Sequence, residues 1–101
     1  MSDDNQLASH LRHMLAVLDA ERQALAGLDL DALLAATLAK QEICASLEVM
    51  VESAASGECR TMLEAAKRQN EVNRRVRNLL SANLAARLDN LRHRPGLYHL
   101  R

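Results

Sequence analysis

The chain has few of the residues from which β-sheets are built. Of its 101 residues one is aromatic, and there is no Phe or Trp. Val, Ile and Thr together number eight, against 19 Leu and 17 Ala. Leu and Ala favour helices, whereas strands are rich in β-branched and aromatic residues. The composition therefore excludes a β-protein and predicts an all-α fold.

Glycine and proline are also scarce, with three Gly and one Pro. Because these residues mark most turns, we predict few and long helices. Their positions, and apolar residues at helical spacing, place helices at about residues 3–26, 30–55 and 58–93, followed by a tail over residues 94–101. The length allows one domain. Short loops make consecutive helices antiparallel, which predicts an up-down-up, coiled-coil-like bundle of three helices with a long third helix.

Local signals indicate where the helices begin, where they end and which faces are buried. Gly27 is expected to take the left-handed conformation that stops the first helix, although Gly27 could instead kink one longer helix. Asp29 is expected to cap the second helix, and Gly57 to end it. The first helix carries a stripe of Leu7, Leu11, Met14, Leu18 and Leu25; the second carries Leu30, Leu33, Thr37, Lys40, Cys44, Leu47, Val51 and Ala54.

The sequence has no long hydrophobic run and no pattern of a secretory signal. No stretch of about 18 uncharged apolar residues is present, which argues against membrane insertion. The first five residues are acidic and polar, where a secretory signal would be basic and then apolar. We therefore expect a cytoplasmic protein.

Candidate catalytic or metal-binding groups are few. Cys44 and Cys59 would differ in height by roughly 15 Å in an antiparallel pair, too far for a disulfide, so both are expected to be reduced thiols of core type. His10 and His13 share a helix face, but no third ligand is spaced to complete a metal site. No Gly-rich phosphate loop, nucleophile elbow or Cys–His arrangement is present. We predict that the chain is not an enzyme and holds no metal or cofactor.

The formal net charge of zero conceals an asymmetry between the two halves of the chain. Residues 1–59 contain ten acidic and three basic side chains, and residues 60–101 contain ten basic and three acidic ones. A basic third helix could bind nucleic acid, but the complementary charge lies in the same small molecule, and a single aromatic residue offers no platform for stacking on bases. We therefore favour ion pairing between the helices over nucleic-acid binding.

The length of the third helix supplies the first functional indication. At about 1.5 Å per residue it measures roughly 54 Å, against 35 to 40 Å for the other two, so its end should project past the bundle. Leu84, Leu88 and Leu91 lie there at the spacing with which a helix contacts another helix in a groove. These leucines could instead fold back on the first helix or seal a homodimer. The candidate binding residues are Val76, Leu79, Leu80, Asn83, Leu84, Arg87, Leu88 and Leu91.

Asparagines interrupt the apolar stripe of the third helix. Asn70 and Asn73 lie on or beside the stripe, and a buried Asn fixes the register of a helical seam at some cost in stability. Exposed positions on the flank of the stripe are the alternative for both. We therefore treat Asn70 and Asn73 as candidate residues for helix register.

The pattern as a whole resembles the FlgN family of flagellar export chaperones. In the first helix the resemblance rests on Leu18, Glu21, Arg22 and the Ala24-Leu25 pair, followed by the break over residues 27–29. It continues through Leu30, Ala32, Leu33 and Lys40 in the second helix. In the third helix and after it, the resemblance rests on Asn70 and Asn73, the leucine stripe from Leu79-Leu80 to Leu91, and Leu97-Tyr98. These features extend over about residues 7–98.

The resemblance implies a cytoplasmic helical chaperone that binds the C-terminal helices of hook-filament junction proteins. Such a chaperone keeps its clients unassembled and delivers them to the type III export gate. In this family a Tyr near the C-terminus is associated with docking to the gate, and Tyr98 is the candidate here. The alternative is a coiled-coil scaffold that forms homodimers through the same leucines and has no export client.

Overall fold

A computed structural model describes residues 3–50 and 57–93 of the chain. These residues form three helices, α1 (Asp3–Gly27), α2 (Leu30–Met50) and α3 (Gly57–Arg92). The predicted all-α fold with a long third helix is confirmed. Gly57 is the first residue of α3, whereas we had predicted that it ends the second helix. Residues 51–55 of the predicted second helix lie outside the described residues.

Contacts between the helices establish the up-down-up arrangement. Lys40 on α2 contacts Glu21 on α1 across the hairpin, so these two helices run antiparallel. Arg12, in the first half of α1, pairs with Glu58 at the beginning of α3. Glu21 pairs with Arg77 further along both helices, so α1 and α3 run parallel. Helix α1 packs against both of the others.

The core forms along the stripe predicted for α1. Leu7, Leu11, Met14, Leu18 and Leu25 are all buried, as expected. Helices α2 and α3 pack against this stripe. Their buried core residues are Ala36, Ile43, Leu47, Cys59 and Ala66. Burial of aliphatic side chains at about 25 cal/mol per Å² is the main favourable term for such a bundle.

The stripe predicted for α2 is wrong at two of its positions. Ala36 and Ile43 are buried, whereas Leu30 and Cys44 are exposed. Cys44 is therefore not the core residue that we predicted; Cys59 is. The face was ambiguous because Leu and Ala occupy several sides of α2, so helical periodicity alone does not select one of them. Val51 and Ala54, also predicted for this stripe, lie outside the described residues.

The turn between α1 and α2 differs from the prediction in the residue that adopts the left-handed conformation. Gly27 is helical, and Leu28 takes the positive φ of 53°. The amide of Leu28 donates to the carbonyl of Leu25, and that of Asp29 donates to the carbonyl of Ala24, which is the Schellman arrangement. Helix α1 therefore ends here and is not a kinked part of a longer helix. A left-handed conformation costs a residue other than Gly about 1 to 2 kcal/mol.

Asp29 begins α2 as predicted. Its Oδ1 accepts a hydrogen bond of 3.1 Å from the amide of Ala32, and its carbonyl accepts one of 2.9 Å from Leu33. The side chain thus satisfies one of the amides that the first turn of a helix leaves without a partner. Only two residues separate α1 from α2, so the tip of the hairpin is tight.

Helix α3 continues well past this tip. The short side chain of Asn73 bonds Glu21, six residues before the end of α1, whereas α3 has nineteen residues left after Asn73. About the last thirteen residues of α3 therefore extend about 20 Å beyond the end of α1. Every residue from 81 to 93 is exposed. The prediction that the end of the third helix projects beyond the bundle is confirmed.

Candidate functional site

A fully buried carboxylate joins the three helices. Glu21 is inaccessible to solvent and accepts hydrogen bonds of 3.2 and 3.0 Å from Nζ of Lys40. Arg77 on α3 donates to Glu21 Oε2 at 2.9 Å. The cations are more accessible than the acid, with exposed fractions of 15% for the Lys40 side chain and 35% for that of Arg77. The charge of Glu21 is thus neutralised from both neighbouring helices.

The two candidate asparagines for helix register both belong to this cluster. Asn73 is fully buried, and its Nδ2 donates to the carbonyl of Leu18 at 2.8 Å and to Glu21 Oε1 at 2.9 Å. Asn70 is exposed, and its Oδ1 accepts a 2.9 Å hydrogen bond from Lys40. The Oδ1 atom of Asn73 has no partner among the described residues. Asn73 therefore fixes the position of α3 along α1.

The cluster lowers the pKa of Glu21 below its ordinary value of 4.5. Burial by itself raises this pKa, because it disfavours the charged form. The hydrogen bonds from Asn73 and Lys40, together with the positive charges of Lys40 and Arg77, outweigh the effect of burial. Glu21 is therefore ionised at neutral pH.

A second group of charges lies on the surface of α3. Arg74 and Arg75 both bond the carboxylate of Glu71, and they lower its pKa to about 2, the hydrogen bond from Arg74 having the largest effect. These contacts lie within one helix and are exposed, so each contributes little to stability. The buried ion pair between Glu21 and Arg77 instead joins the acidic part of the chain, residues 1–59, to the basic part, residues 60–101.

An apolar groove of about 410 Å³ lies where the hairpin tip meets α3. The hairpin contributes four leucines, Leu25, Leu28, Leu30 and Leu33. Helix α3 contributes Leu80, Leu84 and a rim of polar side chains, namely Arg77, Asn78, Ser81, Asn83 and Arg87. Since Arg77 also bonds Glu21, the buried cluster adjoins the wall of the groove.

The predicted binding residues divide into three groups. Four of them line the groove, Leu80, Asn83, Leu84 and Arg87. Leu88 and Leu91 continue past the groove along the projecting end of α3, with exposed fractions of 54% and 47%. Val76 and Leu79 do not line the groove; Val76 is half-buried and Leu79 is 70% exposed.

Helix geometry explains the position of Leu79. At 3.6 residues per turn, Leu79 lies about 140° around α3 from Leu84. The two side chains therefore point to different sides of the helix, although the sequence joins them in one apparent stripe. Leu79 and Leu84 are similar in exposure, at 70% and 59%, but not in position.

The sequence contained a signal for the buried ion pair between Glu21 and Lys40, which we did not predict. Glu21 follows Leu18 by three positions and precedes Leu25 by four, so a charged residue occupies the buried stripe of α1. Lys40 occupies a corresponding place in α2. Charged residues on two packed stripes indicate a buried ion pair. The sequence gives no such signal for the hairpin leucines that line the groove, because their positions depend on the conformation of the turn at Leu28.

The remaining candidates do not come together with this site. His10 donates from Nδ1 to the carbonyl of Gln6 at 2.8 Å, a contact within α1. Within residues 3–50 and 57–93, no three His, Cys, Asp or Glu side chains form a group that could hold a metal ion. Tyr98, the candidate for export-gate docking, lies outside the described residues.

Comparison with known proteins identified no relative. No protein-family profile, curated protein or solved structure matches the chain. Among the described residues, none of the three helices is both long enough and apolar enough to span a membrane.

Proposed function

We propose that this chain is a cytoplasmic, non-catalytic export chaperone of the FlgN type. It would bind the C-terminal helix of a hook-filament junction protein in the groove and along the projecting end of α3. The observation that carries the proposal is the exposure of Leu84, Leu88 and Leu91 next to an apolar groove. The resemblance of the residue pattern to FlgN supports the choice of client.

A helix is the kind of ligand that this surface fits best. The three leucines follow one another by four and three residues, which places them in one row along α3. Full burial of a Leu contributes roughly 1.5 to 3 kcal/mol, and each of the three is about half exposed. A bound helix would therefore gain about 2 to 4 kcal/mol from these side chains, before the groove itself is counted.

Covering this surface also explains how a chaperone would restrain its client. The apolar face of a client helix that enters the groove is no longer available to other client molecules. Premature assembly of the client would then be blocked for as long as the complex lasts. No cofactor or covalent step is needed for this activity.

A pair of variants on α3 tests the proposed site. Changing Leu84 and Leu88 together to Asp places two charges on the binding row and should reduce binding of a client C-terminal helix by at least a hundredfold in calorimetry. Leu79→Asp, on the same helix but off the groove, should bind as the wild type does. Circular dichroism should show that all variants are folded. Unchanged binding by the double variant would reject the site.

A homodimeric scaffold without a client is the second candidate, and the same exposed leucines favour it. Two copies could cover each other's projecting ends, as self-complementary surfaces do in two-fold dimers. Sedimentation at micromolar concentration separates the candidates. A monomer that forms a one-to-one complex with the client helix supports the chaperone. A tight dimer that dissociates when Leu84 and Leu88 are changed supports the scaffold.

We assign delivery of the client to the export gate to the C-terminal tail, residues 94–101. We place the contact with the export gate at Tyr98, on the resemblance alone. Tyr98→Ala should keep the affinity for the client helix and weaken binding to the gate component. Loss of both activities in this variant would argue against a separate role for Tyr98.

A further inference from the structure

The leucine row at the projecting end of α3 continues the face with which this helix packs against α1. The row consists of Leu84, Leu88 and Leu91. At about 100° per residue, Leu84 lies about 20° around α3 from Arg77, and Leu91 lies at the same angle as Asn73. Arg77 and Asn73 are the residues that bond Glu21 on α1. Since α1 ends before the level of the row, no helix of the described part of the chain covers it.

The groove at the hairpin tip connects this row to the end of α1. Leu25 and Leu28, at the end of α1 and just after it, line the groove together with Leu80 and Leu84 of α3. Leu84 therefore belongs both to the groove and to the leucine row. A helix that enters the groove and lies along the row would continue the line of α1 over the projecting end of α3, which is about 20 Å long.

Two arginines lie on either side of the leucine row. Measured from the mean direction of the three leucines, Arg87 is turned about 70° to one side and Arg92 about 70° to the other. Neither guanidinium has a bonding partner among the described residues. Asp89 is the one acidic residue between positions 81 and 93, and it is turned about 130° away from the row and pairs with His93. The flanks of the row are therefore positively charged.

The packing of α3 against α1 gives an example of the charge that matches an arginine on this face. Arg77 bonds the carboxylate of Glu21 at 2.9 Å, and Glu21 belongs to the neighbouring helix. Charges beside the seam of two packed helices determine which partner a helix accepts, because opposite charges attract across the seam. Carboxylates on both sides of the apolar row of a ligand helix would match Arg87 and Arg92 in the same way.

A second copy of the chain does not supply these carboxylates. In a parallel pair of helices, flanking residues five positions apart meet, which brings Arg87 of one copy to Arg92 of the other. In an antiparallel pair that places Leu84 against Leu88, the two Arg87 side chains meet. Both arrangements oppose like charges, which complementary interfaces avoid.

We infer that the projecting end of α3 binds an acidic amphipathic helix, which continues the line of α1 and carries carboxylates on both sides of its apolar row. The apolar row of this ligand lies on the leucine row and enters the groove, and its carboxylates lie over Arg87 and Arg92. The inference rests on the proposed function and adds the charge of the client helix and its path along α3.

Three synthetic peptides of two heptads each test the charge of the ligand by fluorescence anisotropy with the full chain. All carry Leu at heptad positions a and d. The flanking positions e and g are Glu in the first peptide, Lys in the second and Gln in the third. We expect the Glu peptide to bind at least tenfold more tightly than the Lys peptide at low salt, with the Gln peptide between them. The difference should shrink at high salt, because salt screens exposed charges.

A charge reversal on α3 tests the two arginines. Arg87→Glu with Arg92→Glu should reverse the preference, so that the Lys peptide binds more tightly than the Glu peptide. Arg60→Glu with Arg68→Glu makes the same change in net charge at exposed positions far from the groove and should keep the original preference. Circular dichroism should show that both variants are folded. An unchanged preference in the variant of Arg87 and Arg92 would overturn the inference.

Further outcomes distinguish the inference from the proposed function. If the three peptides bind the wild type equally and Leu84→Asp with Leu88→Asp abolishes their binding, the charge assignment is wrong and the helix-binding site stands. If the peptides bind this leucine variant as they bind the wild type, the proposed site is wrong as well. Failure of all three peptides to bind the wild type overturns the inference, and binding of the client's own C-terminal helix then decides the proposed function.

Two controls measure the other occupants of the row. Sedimentation of the wild type should show no dimer that tightens as salt is raised. Vesicles of phosphatidylserine and phosphatidylcholine should not displace the Glu peptide. A dimer of that kind, or displacement by the vesicles, would assign the leucine row to a second copy or to a membrane surface and would overturn the inference.

Discussion

Asn73 on α3 donates a 2.9 Å hydrogen bond to Glu21 on α1, and neither side chain is accessible to solvent. The same amide also bonds the backbone carbonyl of Leu18, so a single side chain holds α3 to α1 at two points. Lys40 and Arg77 complete the contacts of Glu21. This cluster determines how far α3 extends beyond the hairpin, and therefore where the groove forms.

Replacement of Glu21 by Ala should destabilise the bundle by about 2 to 4 kcal/mol. The variant leaves the Asn73 amide without one of its two acceptors, and it leaves Lys40 and Arg77 without their counter-ion. We place the cost toward the lower end of the range for broken buried pairs because Lys40 and Arg77 are partly exposed and can turn to solvent. Urea unfolding measures the change. Glu64→Ala, on the exposed surface, should stay within about 0.5 kcal/mol of the wild type.

The lowered pKa of Glu21 predicts loss of stability in acid. A carboxylate with a lower pKa in the folded state binds fewer protons there than in the unfolded chain, so its contribution is fully present above about pH 4.5 and declines as the pH falls below that value. Unfolding free energies from pH 7 to pH 3 should fall more steeply for the wild type than for Glu21→Gln. Because Glu71 is present in both proteins, the difference isolates Glu21. Parallel curves would contradict this assignment.

Asn73→Asp should be more damaging than Asn73→Leu at neutral pH. Aspartate would bring a second carboxylate next to Glu21 in a buried site, which raises the pKa of the pair, whereas leucine removes an amide whose Oδ1 has no partner in the described part of the chain. We expect a cost of about 3 kcal/mol or more for the aspartate at pH 7. Its stability relative to Asn73→Leu should recover toward pH 5, as one carboxyl group takes up a proton. A constant difference across this range would reject the explanation.

The hairpin tip allows a direct test of which residue is left-handed. Leu28→Gly should stabilise the fold by about 1 kcal/mol, because Gly adopts positive φ without the steric cost that Leu pays. Gly27→Ala should be neutral or stabilise by up to about 1 kcal/mol, since Gly27 is helical and a Cβ there meets no atom within 4 Å. Thermal unfolding measures both. Strong destabilisation by Gly27→Ala would mean that Gly27 is the left-handed residue after all.

Leu28 combines a strained backbone with an exposed apolar side chain in the groove, and this combination was not predictable from the sequence. Gly is the common choice for a left-handed position, so the pattern pointed to Gly27. The hydrogen bonds of the turn instead place the helix end one residue later, at Leu28 and Asp29. Strain of this kind is concentrated at functional sites, in agreement with the role proposed for the groove.

The candidate site was predicted in part. The row of Leu84, Leu88 and Leu91 follows from helical spacing, and the length of α3 accounts for its exposure. Leu79 was assigned to the same row because it also follows a helical period, but its side chain lies on another side of α3. Leu30 was predicted to be in the core and lies instead in the exposed part of the groove.

The sequence alone determined the helical class, the three segments, the buried stripe of α1 and the cap at Asp29. These properties depend on side-chain propensity and on contacts within a turn or two, which neighbouring residues decide. Only the tertiary structure decided which face of α2 is buried, that Glu21 meets Lys40 and Arg77, and that leucines from the hairpin and α3 line one groove. The reason is that these contacts join residues far apart in the chain, Glu21 being 19 positions from Lys40 and 56 from Arg77, and their register depends on how whole helices pack against one another.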